Sequence, residues 1–298
     1  MRSTTILGAL VGVASAYPKV LSRAVENKAA GFTQSDCPDP GADFWALSNK
    51  LAGNEKRDLA EREASGNDTL VARADVTINT YVHVIASSNK FEDGYVSDDA
   101  IKKQMDVLNE AFNKRNFAFK LIETTRTIDA DLSVIVTGEK TDKLGAKLRK
   151  GDYASLNLYI VKDMPGNVAG DCTFPVSRTG GKFLGDGCRF NYDTLPTKSN
   201  GRVVIHEVGH WLGLAHTFQE GVANPTCTTG HGDDVADTPV HLRPTGASCN
   251  PTDTCPGIAG TDPINNFMNY TPSSCWTGFT DGQTTRMRSM WDIRKNAK

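Results

Sequence analysis

Three of the six histidines of this 298-residue chain lie close together, at positions 206, 210 and 216. His206 and His210 are four residues apart, so on a helix their side chains project from the same face, one turn apart. Two imidazoles in that arrangement can bind one Zn²⁺ at about 2.0–2.1 Å. Glu207 follows the first histidine and can reach a metal-bound water without binding the metal itself. The spacing therefore predicts a metal site with a carboxylate beside it.

Gly213 lies between the second and the third histidine. Glycine readily adopts the left-handed conformation that ends a helix, and the turn that follows would bring His216 back as a third ligand. Three protein ligands leave one position of a tetrahedral zinc ion for water, which is typical of catalytic sites. The alternative is that the histidines are only surface or core residues. The joint match of spacing and residue type argues against that alternative.

The run from His206 to His216 reads H-E-x-x-H-x-x-G-x-x-H and resembles the zinc-binding motif of the metzincin metalloproteases. Residues 266–270, Asn-Phe-Met-Asn-Tyr, resemble the Met-turn of that clan. There a methionine packs beneath the three histidines, and in several families a tyrosine two positions later faces the metal and stabilises the transition state. The resemblance assigns these roles to Met268 and Tyr270. The alternative is an ordinary core methionine between two aromatic residues.

Further segments narrow the resemblance to the pappalysin family, and in particular to the secreted single-domain metalloproteases of fungi. These segments are His216-Thr217-Phe218, Cys227, residues 232–239, residues 266–270 and Cys275. The resemblance covers about residues 75–298. It implies an α+β fold, with a twisted mixed sheet and helices over an active-site helix, then a loop-rich, disulfide-bonded C-terminal half. It also implies one Zn²⁺ per chain at the three histidines, with Glu207 as catalytic acid and base.

Six of the seven cysteines lie in the second half of the chain. Cys172 and Cys188 bracket a glycine-rich loop ahead of the predicted zinc helix, which favours a local disulfide. Spacing alone does not give the connectivity, because six cysteines allow 15 pairings. The pappalysin resemblance implies the pairs Cys227–Cys255 and Cys249–Cys275.

Two further segments bear on metal binding and specificity. Residues 233–238 resemble a loop that binds Ca²⁺ in related enzymes, with Asp233 and Asp237 as candidate ligands, since carboxylate and carbonyl oxygens suit a hard cation. An acidic, solvated loop is the alternative. Some relatives carry an acidic residue immediately before the cysteine that follows the Met-turn and prefer a basic residue after the cleaved bond. Here Ser274 precedes Cys275, which argues against a strong preference for Arg or Lys.

Residues 1–16 have the features of a secretory signal peptide. Arg2 gives a positive start, residues 6–13 form a short apolar region, and Ala14-Ser15-Ala16 fits the cleavage site, so Tyr17 is the expected first residue after cleavage. A buried N-terminal helix is the alternative. We therefore expect a secreted, extracellular protein whose cysteines pair in an oxidising compartment.

Residues 17–74 differ from the rest of the chain. They are charged and poor in β-branched residues, with a weak helical pattern over residues 45–62. We interpret them as a pro-segment with an open boundary, followed by a catalytic domain over residues 75–298. Lys56-Arg57 is a dibasic pair that a processing protease of the secretory pathway can cut, and a cut closer to Ala74 is the alternative.

Two residues of the pro-segment are candidates for regulation and modification. The Cys37 thiolate is a good zinc ligand, and in the fourth coordination position it would displace the catalytic water and silence the zymogen. An unpaired cysteine without a role is the alternative, since the glycine that often follows such a cysteine is absent. Asn67 begins the sequon Asn67-Asp68-Thr69 and is a candidate for glycosylation. A second sequon at Asn269 lies in the Met-turn, where a glycan would collide with the metal site.

Composition narrows the classes of partner. The formal net charge is −2, which argues against a nucleic-acid-binding protein. No uninterrupted apolar run approaches the roughly 20 residues that a membrane span needs. We expect protein or peptide substrates and a monomeric protein.

Apolar periodicity predicts the elements that position these residues. Ser97 begins a helix with an apolar face of Ile101, Met105, Leu108 and Phe112, and the zinc helix begins near Asn200-Gly201. Strands are predicted at residues 76–85, 117–123, 132–137 and 156–161, and a C-terminal helix at residues 283–294 with a capping box formed by Thr280 and Gln283.

The sequence thus predicts a secreted zinc endopeptidase. Glu207 would take the proton of the zinc-activated water and deliver it to the leaving amine, and Tyr270 would hydrogen-bond the oxyanion. One alternative is a catalytically silent secreted binding protein on the same fold, against which stands the presence of every catalytic residue. Another is a structural zinc module, which is usually closed by four protein ligands.

Overall fold

The computed structural model describes residues 40–65, 75–135, 141–166, 168–177, 183–218, 226–228, 232–245 and 248–297. The predicted signal peptide, Cys37 and Asn67 lie outside the described residues. Within the described ranges, no helix combines the length and the apolar character that a bilayer span requires.

Five strands form one mixed sheet in the order β2-β1-β3-β5-β4. β1 pairs in parallel with β2 and β3, and β3 pairs in parallel with β5, while β4 at the edge runs antiparallel to β5. Every residue of β3 is buried, as expected for a parallel strand covered on both faces. The mixed sheet confirms the predicted fold class. The strands are β1 Val76–Ala86, β2 Phe117–Ile128, β3 Leu156–Val161, β4 Gly170–Cys172 and β5 Cys188–Asn191.

The helices described are α1 Ala42–Ser65, α2 Asp98–Asn113, α3 Thr141–Leu148, α4 Arg202–Trp211 and α5 Asp281–Asn296. α2 begins as predicted, because the Ser97 side chain accepts a hydrogen bond from the amide of Ala100. Its predicted apolar face is buried, and the helix contacts β2 and α4. Thr280 and Gln283 form the predicted capping box at the start of α5.

The strand predicted at residues 132–137 is wrong for the part that the structure describes. Residues 130–133 form a turn, and the chain then makes a single bridge between Val134 and Asp163. The Asp129 carboxylate accepts from the amide of Leu132 at 3.1 Å, and the Ser133 hydroxyl donates to the carbonyl of Ala130 at 3.0 Å. These local side-chain hydrogen bonds turn the backbone and compete with strand pairing.

A buried network around Asp186 fixes the end of α4. Arg294 of α5 donates from Nε to the carbonyl of Trp211 at 2.8 Å and from Nη1 to Asp186 at 2.8 Å. The indole of Trp211 donates to the other oxygen of Asp186 at 3.3 Å. The Arg294 guanidinium lies 4.1 Å from the centroid of the Trp211 ring. The ion pair of Arg294 and Asp186 therefore holds the last turn of α4 through hydrogen bonds to the carbonyl and the indole of Trp211.

His83 is a buried titratable group in the centre of the sheet. Its Nδ1 lies 2.8 Å from Thr125 Oγ1, and its Nε2 lies 3.0 Å from Asn157 Oδ1. Because the amide oxygen only accepts, Nε2 carries the proton, and Nδ1 accepts from the threonine hydroxyl. Burial lowers the pKa of His83, more than its hydrogen bond to Asn157 raises it.

We predict that His83 makes the folded state sensitive to acid. The unfolded chain binds a proton at the ordinary histidine pKa of about 6.5 and the folded chain only at lower pH, so the free energy of unfolding falls as pH drops below that value. Denaturant unfolding of the zinc-loaded protein at pH 7 and pH 5 measures this loss. In His83→Gln the loss between the two pH values should be smaller, and an equal loss in parent and variant would refute the assignment.

Candidate zinc centre

α4 and the turn after it carry the three histidines. Gly201 is the N-cap of α4. After the helix ends at Trp211, the backbone changes direction at Gly213, whose φ is 85°. A Cβ on Gly213 would also lie 2.4 Å from Cγ of Met290 in α5. Glycine is therefore required there both for the left-handed backbone and for the close approach of α5. His216 follows this turn and returns to the two histidines of the helix.

The three imidazoles meet through their Nε2 atoms. Nε2 of His210 lies 3.1 Å from Nε2 of both His206 and His216. Nδ1 of His206 donates to the carbonyl of Phe267 at 2.6 Å, and Nδ1 of His210 donates to the carbonyl of Leu214 at 2.7 Å. Since a carbonyl only accepts, the proton of each neutral ring is on Nδ1 and the lone pair is on Nε2. Lone pairs that face one another at this distance repel, and a shared cation removes the repulsion.

This donor set fits Zn²⁺. Three imidazole nitrogens, two of them from rings held by outer hydrogen bonds to carbonyls, are typical ligands of a catalytic zinc site. Among the residues that the structure describes, no fourth His, Cys, Asp or Glu joins the group. Burial lowers the pKa of His210 to about 4, and burial together with the neighbouring His210 lowers that of His206 well below its usual value. Both rings are therefore neutral near pH 7, which is the form that binds a metal.

The predicted Met-turn lies directly under α4. Met268 is fully buried, and its carbonyl accepts from the amide of Thr217, next to the third histidine, at 3.1 Å. A Cβ on Gly209 would lie 2.4 Å from the sulfur of Met268. Gly209 occupies the second variable position between the two histidines of the helix, and our sequence analysis did not single it out. The absence of a side chain there allows the methionine to pack against the helix backbone.

Tyr270 lies beside the histidines. Its ring centroid is 4.3 Å from that of His216 and 5.9 Å from that of His206, and the residue is half-buried. The preceding Asn269 is fully buried, and its side-chain nitrogen Nδ2 donates to the carbonyl of Pro263 at 3.1 Å. A glycan on Asn269 is incompatible with this contact.

Glu207 is fully buried beside the edge strand of the sheet. A Cβ on Gly170, the first residue of β4, would lie 3.0 Å from Cγ of Glu207. The carboxylate side chain is thus packed against the backbone of β4. Gly170 was not predicted as a site residue, because nothing in a three-residue strand marks it as part of the site.

Aromatic rings surround the histidines. Trp276 stacks on His206 with centroids 5.3 Å apart, and Phe218 stacks on His216 at 5.2 Å. Phe174 packs on His210 at 5.0 Å. Trp276 and Phe174 were not predicted as site residues. These contacts restrict the rotation of the imidazoles and exclude water from their faces.

The structure pairs the six cysteines as Cys172–Cys188, Cys227–Cys255 and Cys249–Cys275. The first disulfide joins β4 to β5, beside the strand residue that contacts Glu207. The third ties the segment after the Met-turn to the loop before it. These two disulfides therefore stabilise β4 and the segment after the Met-turn, both of which pack near α4.

The two candidate calcium ligands are engaged in hydrogen bonds. Asp233 accepts from the amide of Val235 at 3.1 Å, and its burial raises its pKa to about 7. Asp237 accepts from the Thr280 hydroxyl at 2.7 Å and from the amide of Gly282 at 2.8 Å, at the start of α5. These carboxylates connect the loop to α5, and calcium binding stays a prediction.

Comparison with known proteins places this geometry in one family. A family model described as pregnancy-associated plasma protein-A, peptidase family M43, matches residues 150–292. An extracellular metalloprotease of Colletotrichum graminicola is 39% identical, with 97% of each chain covered. One from Pyricularia oryzae is 40% identical, covering 85% of this chain and 87% of the relative.

A solved structure supports the same grouping. The structure described as mirolysin in complex with compound 9 superposes with a TM-score of 0.60 at 26% identity. The match covers 75% of this chain and 96% of that one. These findings confirm the resemblance that the zinc motif and the Met-turn indicated.

We predict that Gly209→Ala disturbs the metal centre by overpacking. The added methyl group would meet the Met268 sulfur and force the turn away from α4, at a cost of about 1–3 kcal/mol in the free energy of unfolding. Zinc retention during dialysis against a weak chelator should fall as well. Gly257→Ala is the matched control, because a Cβ there meets nothing within 4 Å. Equal zinc retention in the two variants would contradict the assigned role of Gly209.

Proposed function

Because the chain belongs to the pappalysin family of extracellular metalloproteases and has a histidine-triad zinc site, we propose that it is an endopeptidase. In this proposal Glu207 is the catalytic acid and base. One observation carries the proposal. Three imidazole Nε2 atoms converge, with those of His206 and His216 each 3.1 Å from that of His210, and a buried carboxylate lies next to the first ligand in the chain. A structural zinc site needs no such carboxylate.

Zinc bound at the triad would supply a Lewis acid that polarises the scissile carbonyl and lowers the pKa of a water molecule. The chain's own residues supply the proton transfers and the orientation. The carbonyls of Phe267 and Leu214 hold the imidazoles of His206 and His210 in the tautomer that presents Nε2. Proton transfer by a carboxylate requires that it be fixed within hydrogen-bond reach of the reacting water.

The packing of Glu207 supports its assignment to this role. Its side chain lies between α4 and the backbone of Gly170, which limits the positions open to the carboxylate. We assign it two steps in sequence. Its carboxylate takes a proton from the attacking water, and it then delivers that proton to the nitrogen of the departing amine. No covalent intermediate is needed, which agrees with the absence of a Ser or Cys nucleophile motif in the sequence.

Tyr270 is the candidate for stabilising the oxyanion. Its ring lies against His216, and its phenol is a donor that a developing negative charge strengthens. The Arg243 guanidinium lies 4.8 Å from the centroid of the Tyr270 ring. This cation–π contact holds the ring beside His216.

We also propose that cleavage before Arg or Lys is not favoured. The position before Cys275 holds Ser274 instead of the acidic residue of some relatives. The Arg202 guanidinium donates to the carbonyls of Ser273 and Ser274, each at 3.1 Å. A positive charge already lies at this position, so a basic substrate side chain would be repelled there. Mass spectrometry of casein fragments measures the preference, and fragments that begin mainly with Arg or Lys would contradict it.

The test of the proposed mechanism is hydrolysis of casein and gelatin by the activated protein, beside the variant Glu207→Ala. We expect activity that 1,10-phenanthroline abolishes and added zinc restores. Loss of the acid and base should lower kcat by about 10²–10⁴-fold while the metal stays bound. Glu110→Ala, at an exposed position of α2, is the matched control and should keep full activity. A folded, zinc-loaded and inactive parent protein would favour the silent binding protein instead.

Tyr270→Phe tests the second role. Loss of one oxyanion donor typically lowers kcat by about 10²-fold, with a small change in KM. Tyr81→Phe in β1, outside the site, is the control for the loss of a phenol. Unchanged kcat in Tyr270→Phe would remove this residue from the mechanism without affecting the assignment of Glu207.

A further inference from the structure

α1 lies within the predicted pro-segment, yet it packs into the fold of the catalytic domain. Phe44 of α1 is 1% exposed, and its ring centroid lies 4.5 Å from that of Phe174. Phe44 forms a buried cluster with Ala215 and Met290. Ala215 immediately precedes the third zinc ligand, and the Phe174 ring packs on His210. The apolar contact of α1 therefore lies directly behind the zinc centre.

A buried ion pair forms the polar part of the same contact. Arg286 of α5 is 1% exposed, and its Nε lies 3.1 Å from both carboxylate oxygens of Glu55 in α1. Its Nη2 lies 3.0 Å from Glu55 and 2.8 Å from the carbonyl of Asp234, while Nη1 donates to the hydroxyl of Ser48 in α1 at 2.7 Å. Two residues of α1 thus satisfy most of the donors of a guanidinium that water does not reach.

We define the α1 docking site as Arg286 together with Phe174, Ala215 and Met290. We propose that this site retains α1 non-covalently after the chain is cut between α1 and β1, so that the excised segment remains as a bound regulatory subunit. The proposal rests on the proposed function as a protease and on the interpretation of residues 17–74 as a pro-segment, but not on any role of Cys37.

The charges explain why cutting the chain does not release α1. Departure of α1 would break the ion pair of Glu55 with Arg286 and the hydrogen bond from Arg286 to Ser48. It would also expose the apolar surface of Met290 and Ala215 to water. A cut in the connecting segment changes neither interaction. It removes only the tether, which raises the effective concentration of α1 at its site.

The position of the site explains how occupancy acts on the zinc centre. α1 supports Ala215 in the turn that carries His216, and it supports Phe174 against His210. Loss of α1 removes packing from two of the three ligands. Retention of α1 and the properties of the metal centre are therefore coupled through shared contacts.

The experiment uses the full chain with residues 68–73 replaced by the recognition sequence of a site-specific protease. Glu207→Ala prevents self-digestion, and Cys37→Ser prevents retention through a thiolate on the zinc. After the cut, size-exclusion chromatography and mass spectrometry determine whether the fragment that contains α1 elutes with the domain. We expect co-elution at micromolar concentration. Separate elution of the two fragments would overturn the proposal.

Glu55→Gln tests the ion pair from the side of α1, so the domain that carries Arg286 keeps its sequence. A dye on the N-terminal fragment reports dissociation on dilution by fluorescence anisotropy. Breaking the pair should raise the Kd on the order of 100-fold. Glu61→Gln, an exposed position on the same helix, is the matched control and should leave the Kd unchanged. A Kd equal to the parent's in Glu55→Gln would also overturn the proposal.

These measurements are independent of peptidase activity, because every chain carries Glu207→Ala. An inactive parent protein would refute the proposed function and leave the docking result intact. A second readout is the thermal unfolding of the cut protein. We expect the domain that carries a retained fragment to unfold at a higher temperature than the domain from which the fragment has been diluted away.

Discussion

The close approach of three imidazole Nε2 atoms is the constraint on which the structure of this protein depends. The Nε2 atoms of His206 and His216 lie 3.1 Å from that of His210, and backbone carbonyls fix the Nδ1 protons of His206 and His210 on the far side of the rings. Such an arrangement is unfavourable without a cation, so the surrounding fold must hold it in place. α4 holds two of the ligands, and the turn after Gly213 holds the third. Zinc binding and stability of this region are therefore linked.

At three places around the zinc site, a glycine lets a neighbouring side chain pack directly against the backbone. Gly209 admits the sulfur of Met268, Gly213 admits Met290, and Gly170 admits the side chain of Glu207. In each case a methyl group would lie within 3.0 Å of a neighbouring atom. Because these three glycines lack side chains, the Met-turn, α5 and β4 can contact α4 and the turn after it directly. Dense packing of this kind restricts the ligands and the carboxylate to one geometry, which catalysis by positioned groups requires.

Charge pairs inside the fold connect distant parts of the chain to the centre. Arg294 links α5 to the last turn of α4 through Asp186, and Arg286 links α5 to α1 through Glu55. α5 is thus the element that receives both the end of the zinc helix and the helix of the predicted pro-segment. Removing one partner of such a pair while the other stays buried leaves a charge without compensation, so each residue depends on its partner.

The sequence by itself determined the ligands, the Met-turn, the cap of α2 and the capping box of α5, because each depends on residues close together in the chain. His206 and His210 share a helix face, and Thr280 and Gln283 share a helix end, whatever the rest of the fold does. Only the tertiary structure decided that Gly170 packs on Glu207, that Trp276 and Phe174 pack on the histidines, and that Arg286 pairs with Glu55. Those contacts join residues from 36 to 231 positions apart, and no local pattern encodes such a pairing. The turn at residues 130–133 shows the same limit, since apolar alternation predicted a strand where local side-chain hydrogen bonds form a turn followed by a single bridge.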